Sequence, residues 1–376
     1  MRRMLLGLLP SLALSAFSPP VHADVFDDAM RILSDPKQLV TRSGEALKLL
    51  RSVPGAHPKA ATAHYNAGLL LHMSGDHQAA REAFSKALAI DPKHAPSRAQ
   101  LAGLDLDAPS KRDAALATLR AIIEEDRFQQ DARNLLAAYE LERAEPLLKL
   151  TDKNSKAEAQ KALEDAIRHG RNVLIGDPEN VQAFTNVAIA YIKLGLYDQA
   201  DLIAQSALEK QPNAAPLHNI RGLVALSRDD SKRATDSFLA ALAADPQNDD
   251  ARMNLAALEL AFGNFESALT RFDEVLKQQP DDPTLMMSRG VALRGLSRFD
   301  EADKSYRQVL ARHPDHAEVH YNLCVLHQQY TQKYDLAKVS CEAYLKGLEK
   351  GHSKYAEVQK RVKAVDATLK ALNKVP

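Results

Sequence analysis

The sequence predicts an all-α solenoid of stacked helical hairpins, and three observations carry that expectation. Pro178, Pro212, Pro246, Pro280 and Pro314 follow one another at intervals of 34 residues, a period typical of repeated helix-turn-helix units. Small and large residues recur at fixed offsets within that period. Ala and Leu abound, Trp is absent and Gly numbers only 15, which suits closely packed helices better than sheets. A chain organised this way buries apolar surface between neighbouring repeats rather than around one pocket. Binding is therefore expected ahead of chemistry.

Taken in order, the chain opens with Met1, Arg2 and Arg3, runs through the apolar stretch Met4 to Phe17, and reaches Val21-His22-Ala23. That layout predicts a cleavable secretory signal over 1–23 and a mature chain from Asp24, against the competing reading of a buried first helix. The stretch is too short for a stable membrane anchor, and no Cys follows it that could carry a lipid. Residues 24–60 hold Phe26, Met30, Ile32 and Leu33, then Ala46 to Leu50, and predict one or two capping helices.

The repeats divide into a pair over 61–128, a stretched unit over 129–180 and five units over 181–352, before a terminal helix over 353–376. Numbering each block from its first residue, Val181 opens a unit with Ala188, Tyr191, Ala200 and Ala207 at positions eight, eleven, twenty and twenty-seven. Gly222, Ala234 and Phe238, then Ala256, Ala268 and Phe272, then Gly290, Ala302 and Tyr306 repeat positions eight, twenty and twenty-four. Position eight is expected to face position twenty, small against small, with a large residue at twenty-four filling the gap and Pro ending the unit. The block from Ala61 carries Gly68, Ala80, Phe84, Ala87 and Pro92 at the same offsets, and the block from Ala95 is a degenerate copy without the Pro. The unit over 129–180 is 52 residues long, 18 more than 34. Its surplus reads either as a projecting bend at Thr151 to Ser155 or as a longer helix pair. The last unit carries one inserted residue before Ala337, and Ser353 to Leu372 places Val358, Val362, Val365 and Leu369 along one side of a cap.

This pattern resembles the tetratricopeptide repeat family. The resemblance implies a right-handed superhelical α-α solenoid whose first helices line a concave, peptide-holding groove. Carried over by position, the groove residues are Asn186, Ile189, Asn219, Leu223, Met253, Asn254, Met287, Val291, Tyr321 and Asn322. An amide both donates and accepts, as a peptide backbone requires, so Asn at position six reads as a ladder through Asn66, Asn186, Asn254 and Asn322, interrupted by Ile220 and Ser288. The competing reading gives these residues to packing. Lys193 and Arg294 stand too far apart in repeat order to form a carboxylate clamp.

Cys324 and Cys341 are the two cysteines and lie on the two helices of the last hairpin. In an exported chain they invite a disulfide, although pairing of positions eight and twenty would leave them off the direct line; the alternative is two buried thiols. No His-Glu-x-x-His helix, zinc spacing, phosphate loop or nucleophile elbow occurs. No catalytic, metal or cofactor site is expected, and an enzyme is not. The balance of 49 basic and 49 acidic residues, or 47 and 49 without Arg2 and Arg3, gives no electrostatic reason to bind nucleic acid or an anionic membrane. The expected function is a noncatalytic scaffold in the periplasm or secreted, peripheral to the outer membrane, binding protein or peptide segments within an envelope complex of pilus, secretion, export or gliding-motility type. A chaperone for an exported subunit and a regulator of a cell-wall or glycan-processing enzyme are the alternatives.

Overall fold

The computed structural model describes residues 24–348 and 354–372, and every regular element among them is helical. Residues 1–23, expected to form a secretory signal, and Ser353 lie outside the described residues. Two compact units meet in sequence between Asp230 and Ser231. The first begins with α1 (Val25–Leu33) and α2 (Pro36–Ser52), followed by the hairpins α3 (Ala60–Met73) with α4 (His77–Ile90) and α5 (Ala95–Asp105) with α6 (Arg112–Glu125). It continues with α7 (Gln130–Leu148) and α8 (Lys153–Gly176), α9 (Val181–Lys193) and α10 (Tyr197–Lys210), and ends on α11 (Ala215–Ser227). The second unit holds α12 (Ser231–Ala244), α13 (Asp249–Ala261), α14 (Phe265–Gln278), α15 (Pro283–Gly295), α16 (Phe299–Arg312), α17 (Ala317–Val325), α18 (Tyr334–Lys346) and α19 (Tyr355–Leu372).

Punctuation explains the period. Each Pro follows the end of a second helix, and after Pro178, Pro246 and Pro280 the residue two places on caps the next first helix by accepting from its third backbone N–H. Asn180 accepts from Ala183, Asn248 from Ala251 and Asp282 from Leu285, at 2.9, 2.9 and 2.8 Å. First helices also touch the next first helix, as α5 touches α7 and α9 touches α11, which is how a solenoid stacks.

Packing inside the hairpins corrects one expectation. Position eight meets the ring at position twenty-four: a Cβ built on Gly68 would stand 2.5 Å from Phe84 Cε1, and one on Gly290 would overlap Tyr306. The absent side chain makes room for an aromatic, while Ala80, Ala268 and Ala302 at position twenty are fully buried beside it. Where Thr118 takes the aromatic's place, a cleft of about 400 Å³ opens between α4, α5 and α6, lined by Leu88, Leu101, Ala102 and Ala115.

In the stretched unit the bend expected over Thr151 to Ser155 shrinks to the short connection before α8. Lys153 to Ser155 form the first turn of α8, with Asp152 capping Ser155 N at 2.9 Å, so the surplus lengthens both helices. In the last unit the inserted residue is absorbed by a π-helix, Leu326–Tyr330, after which Thr331 N reaches back to Leu326 O at 3.1 Å. The widened turn buries His327, whose Nε2 lies 3.0 Å from Asp303 Oδ1. Cys324 and Cys341 form a disulfide with their Cα atoms 4.9 Å apart, comfortably within bridging range. With the inserted residue discounted they occupy positions eight and twenty-four, so the bridge stands where Gly68 meets Phe84 and Gly290 meets Tyr306 in two other repeats; that pairing is why the geometry closes.

Candidate functional site

Each unit presents a face built from first helices. In the first unit α9 and α11 carry Ile189 and Leu223, both half-buried, while Asn186 and Asn219 are buried. Asn186 is only 3% exposed; its Nδ2 donates to Asn134 O at 3.4 Å and its Oδ1 accepts from Gln182 at 2.9 Å. Asn66 is fully buried against α1, its Nδ2 3.2 Å from Met30 Sδ. These two amides of the expected ladder are turned into the helix stack, where they join neighbouring first helices. Their burial follows from the close approach of α7 and α1.

In the second unit Met253 and Asn254 on α13, and Met287 and Val291 on α15, are all half-buried. The sulfur and methyl groups pack their inner sides on two core clusters around Phe272 and Tyr306. Arg294 Nη1 donates to Asn322 Oδ1 at 3.2 Å, and Asn322 Nδ2 donates to Glu318 O at 2.9 Å. Tyr321 differs from the groove expectation. Its ring lies 5.2 Å from that of Tyr344, its hydroxyl donates to Glu357 of α19 at 3.3 Å, and Lys354 Nζ sits 4.7 Å from its centroid. The terminal helix, anchored by Val358 and Val365 and by an Arg361 to Gln328 bond of 3.1 Å, covers that position.

Lys193 is engaged by Glu145 on α7. Sequence reasoning missed a buried carboxylate in the first unit. Asp131 Oδ1 accepts from Tyr65 Oη and Gln100 Nε2, each at 2.7 Å, and Oδ2 accepts from Gln129 Nε2 at 3.1 Å. Burial raises the Asp131 pKa, opposed by these three bonds. The donors come from three different repeats, so no spacing within one repeat reveals the cluster. Among the described residues no group of three or more His, Cys, Asp or Glu could hold a metal, and no helix is long and apolar enough to cross a membrane.

Comparison with known proteins gives the family. Tetratricopeptide repeat profiles match residues 71–139, 157–224 and 225–286, and related profiles match 30–93 and 287–327. The tetratricopeptide repeat-containing protein trd-1 of Caenorhabditis elegans is 27% identical over 166 residues, covering 44% of this chain and 21% of its own length. A peroxisomal targeting signal receptor of Candida albicans is 30% identical over 161 residues, covering 39% of this chain and 26% of its own. The matched region is thus about a quarter or less of these relatives. A solved structure of an IFIT1 monomeric mutant with Gppp-AAAA aligns over 93% of this chain and 83% of that one at a TM-score of 0.61, with 14% identity, a likeness of fold alone. With profile matches running along most of its helical hairpins, the chain belongs to the tetratricopeptide repeat family.

Proposed function

We propose that this chain is a noncatalytic scaffold that holds peptide segments of partner proteins on its first-helix faces and assembles them into an envelope complex. The observation that carries the reading is the half-buried apolar row Met253, Met287 and Val291 on consecutive first helices. Flexible, polarisable Met side chains adapt to varied apolar partners, and an amphipathic helix or extended segment is the ligand such a face suits. Ile189 and Leu223 make the corresponding surface of the first unit, with Asn254 and Asn322 at the edge of the second. The name of the Candida albicans relative, a receptor for a targeting signal, supports recognition of peptide segments. Two features favour the periplasm: the basic, apolar and small-residue order of 1–23, and the disulfide, which persists in oxidising compartments.

The test is crosslinking and pull-down from intact envelopes with the wild type and a Leu223→Asp, Met253→Asp, Met287→Asp variant of unchanged circular dichroism. Loss of a reproducible partner set in the variant is expected. An unchanged set would move binding to another surface, and recovery of the protein in the cytosolic fraction would remove the envelope assignment.

A further inference from the structure

Arg133 stands in the first turn of α7 and is only 8% exposed. Its Nε donates to Arg127 O, a contact that recurs in other repeats at the same register. His218 and His320 contact Pro212 O and Pro314 O at 2.8 and 2.7 Å, and Arg252 donates to Pro246 O. That bond is structural. Arg133 Nη1 lies 3.3 Å from His169 Nδ1, and since a guanidinium cannot accept, the imidazole must be neutral and accepting there. Burial first, then Arg133 and Arg168, hold the His169 pKa down at about 4, consistent with that role. Two of the five guanidinium N–H groups are thereby used.

What Arg133 lacks is a counter-anion. Arg98, at the same register, pairs with Glu125 at 2.7 Å, and Arg252 pairs with Asp249 at 2.6 Å and Glu274 at 3.1 Å. Glu125 stands five residues before the next first helix, and Glu274 nine; before α9 those places hold Gly176 and Asn172. Arg133 makes no ion pair among the described residues. Asp126 and Glu124 favour its charge from a distance, against the stronger opposing effects of burial, Arg127 and Arg168. Asp165 is engaged by Arg168 at 2.8 Å. A buried cation is ordinarily paired, because leaving it alone is costly.

We propose that Arg133, framed by the exposed Arg127 and Arg168, is a binding site for an oxyanion from outside the chain. With Nε–H given to Arg127 O and one Nη1–H to His169, three N–H donors remain, two on Nη2 and one on Nη1, and charged donors of this kind suit phosphate and carboxylate oxygens. This site is built from α7, α8 and the turn before α7, uses neither Ile189 nor Leu223, and does not depend on the peptide-holding role.

Two substitutions separate the site from the fold. Arg133→His keeps a donor for the Arg127 carbonyl, as His218 and His320 do in their repeats, and removes the fork. Gly176→Glu restores the internal carboxylate that Arg98 has in Glu125; a Cβ there meets nothing closer than Phe128 Cβ at 3.4 Å. Full-length protein is titrated with inorganic phosphate and with acetate at constant ionic strength, by calorimetry and by thermal shift. Saturable binding to the wild type, weakened at least tenfold in both variants, is the expected result. Phosphate preferred over acetate assigns a tetrahedral anion, and the reverse assigns a carboxylate. No saturable binding to the folded wild type, or equal binding by wild type and both variants, overturns the proposal.

Discussion

At the scale of single residues, the most consequential atoms are those whose absence or burial sets the packing. Gly290 leaves room for Tyr306, so Gly290→Ala should destabilise despite better helix propensity. Overpacking costs about 1–3 kcal/mol, against about 1 kcal/mol gained from replacing helical Gly. Gly44, where an added Cβ would meet no heavy atom within 4 Å, supplies the contrast. Gly44→Ala should be neutral or stabilising, and urea midpoints that rank the two variants the other way would refute the steric reading. Asp131 makes a pH-dependent prediction. Its folded pKa is raised, so its stabilising contribution is complete below the ordinary carboxylate value and declines as pH rises through the folded value. The wild type's advantage over Asp131→Asn should therefore shrink as pH is raised from about 4 to 7; an advantage that grows would mean the three donors outweigh burial.

At the scale of elements, the last hairpin exchanges one device for another. Two other repeats fill the space between positions eight and twenty-four with an aromatic over Gly, Phe84 over Gly68 and Tyr306 over Gly290; here Cys324 and Cys341 span it covalently. Closing a loop of this length contributes about 3 kcal/mol. Cys324→Ala with Cys341→Ala should lose stability on that order and leave a void. Cys324→Gly with Cys341→Phe rebuilds the contact of Gly68 with Phe84 and should recover part of the loss, as read by thermal unfolding. No recovery would show that Tyr321, Tyr344 and Val358, which surround the bridge, cannot accommodate a ring. The hairpin period and the position of the cysteines were legible in the sequence because Pro, Gly and aromatic residues act locally. The partner of position eight was not, since three small or large residues on the second helix satisfy the same spacing. Likewise, one inserted residue could be recognised at Ala337, but its absorption by a π-turn depends on His327 finding Asp303 on α16. In the candidate face, apolar positions followed from register, whereas the fates of Asn186 and Tyr321 were decided by α7 and α19, neither of which belongs to the same hairpin.

At the scale of the whole molecule, stacked repeats predict that perturbations stay near their origin, because each hairpin is stabilised chiefly by its neighbours. Three polar contacts follow this rule, Gln100 with Asp131, Asn186 with Asn134 and Arg361 with Gln328, whereas the Tyr65 bond to Asp131 skips one hairpin. Reduction of the disulfide should therefore raise amide exchange in α17, α18 and the α19 seated on them. Exchange in α3 and α4 should be unchanged. Local opening with a free energy below that of global unfolding is what such a gradient means. Hydrogen-exchange mass spectrometry of oxidised and reduced full-length protein decides the matter peptide by peptide. A uniform rise across α3 to α18 would mean that the chain unfolds as one cooperative body, and the nearest-neighbour account of its stability would fail.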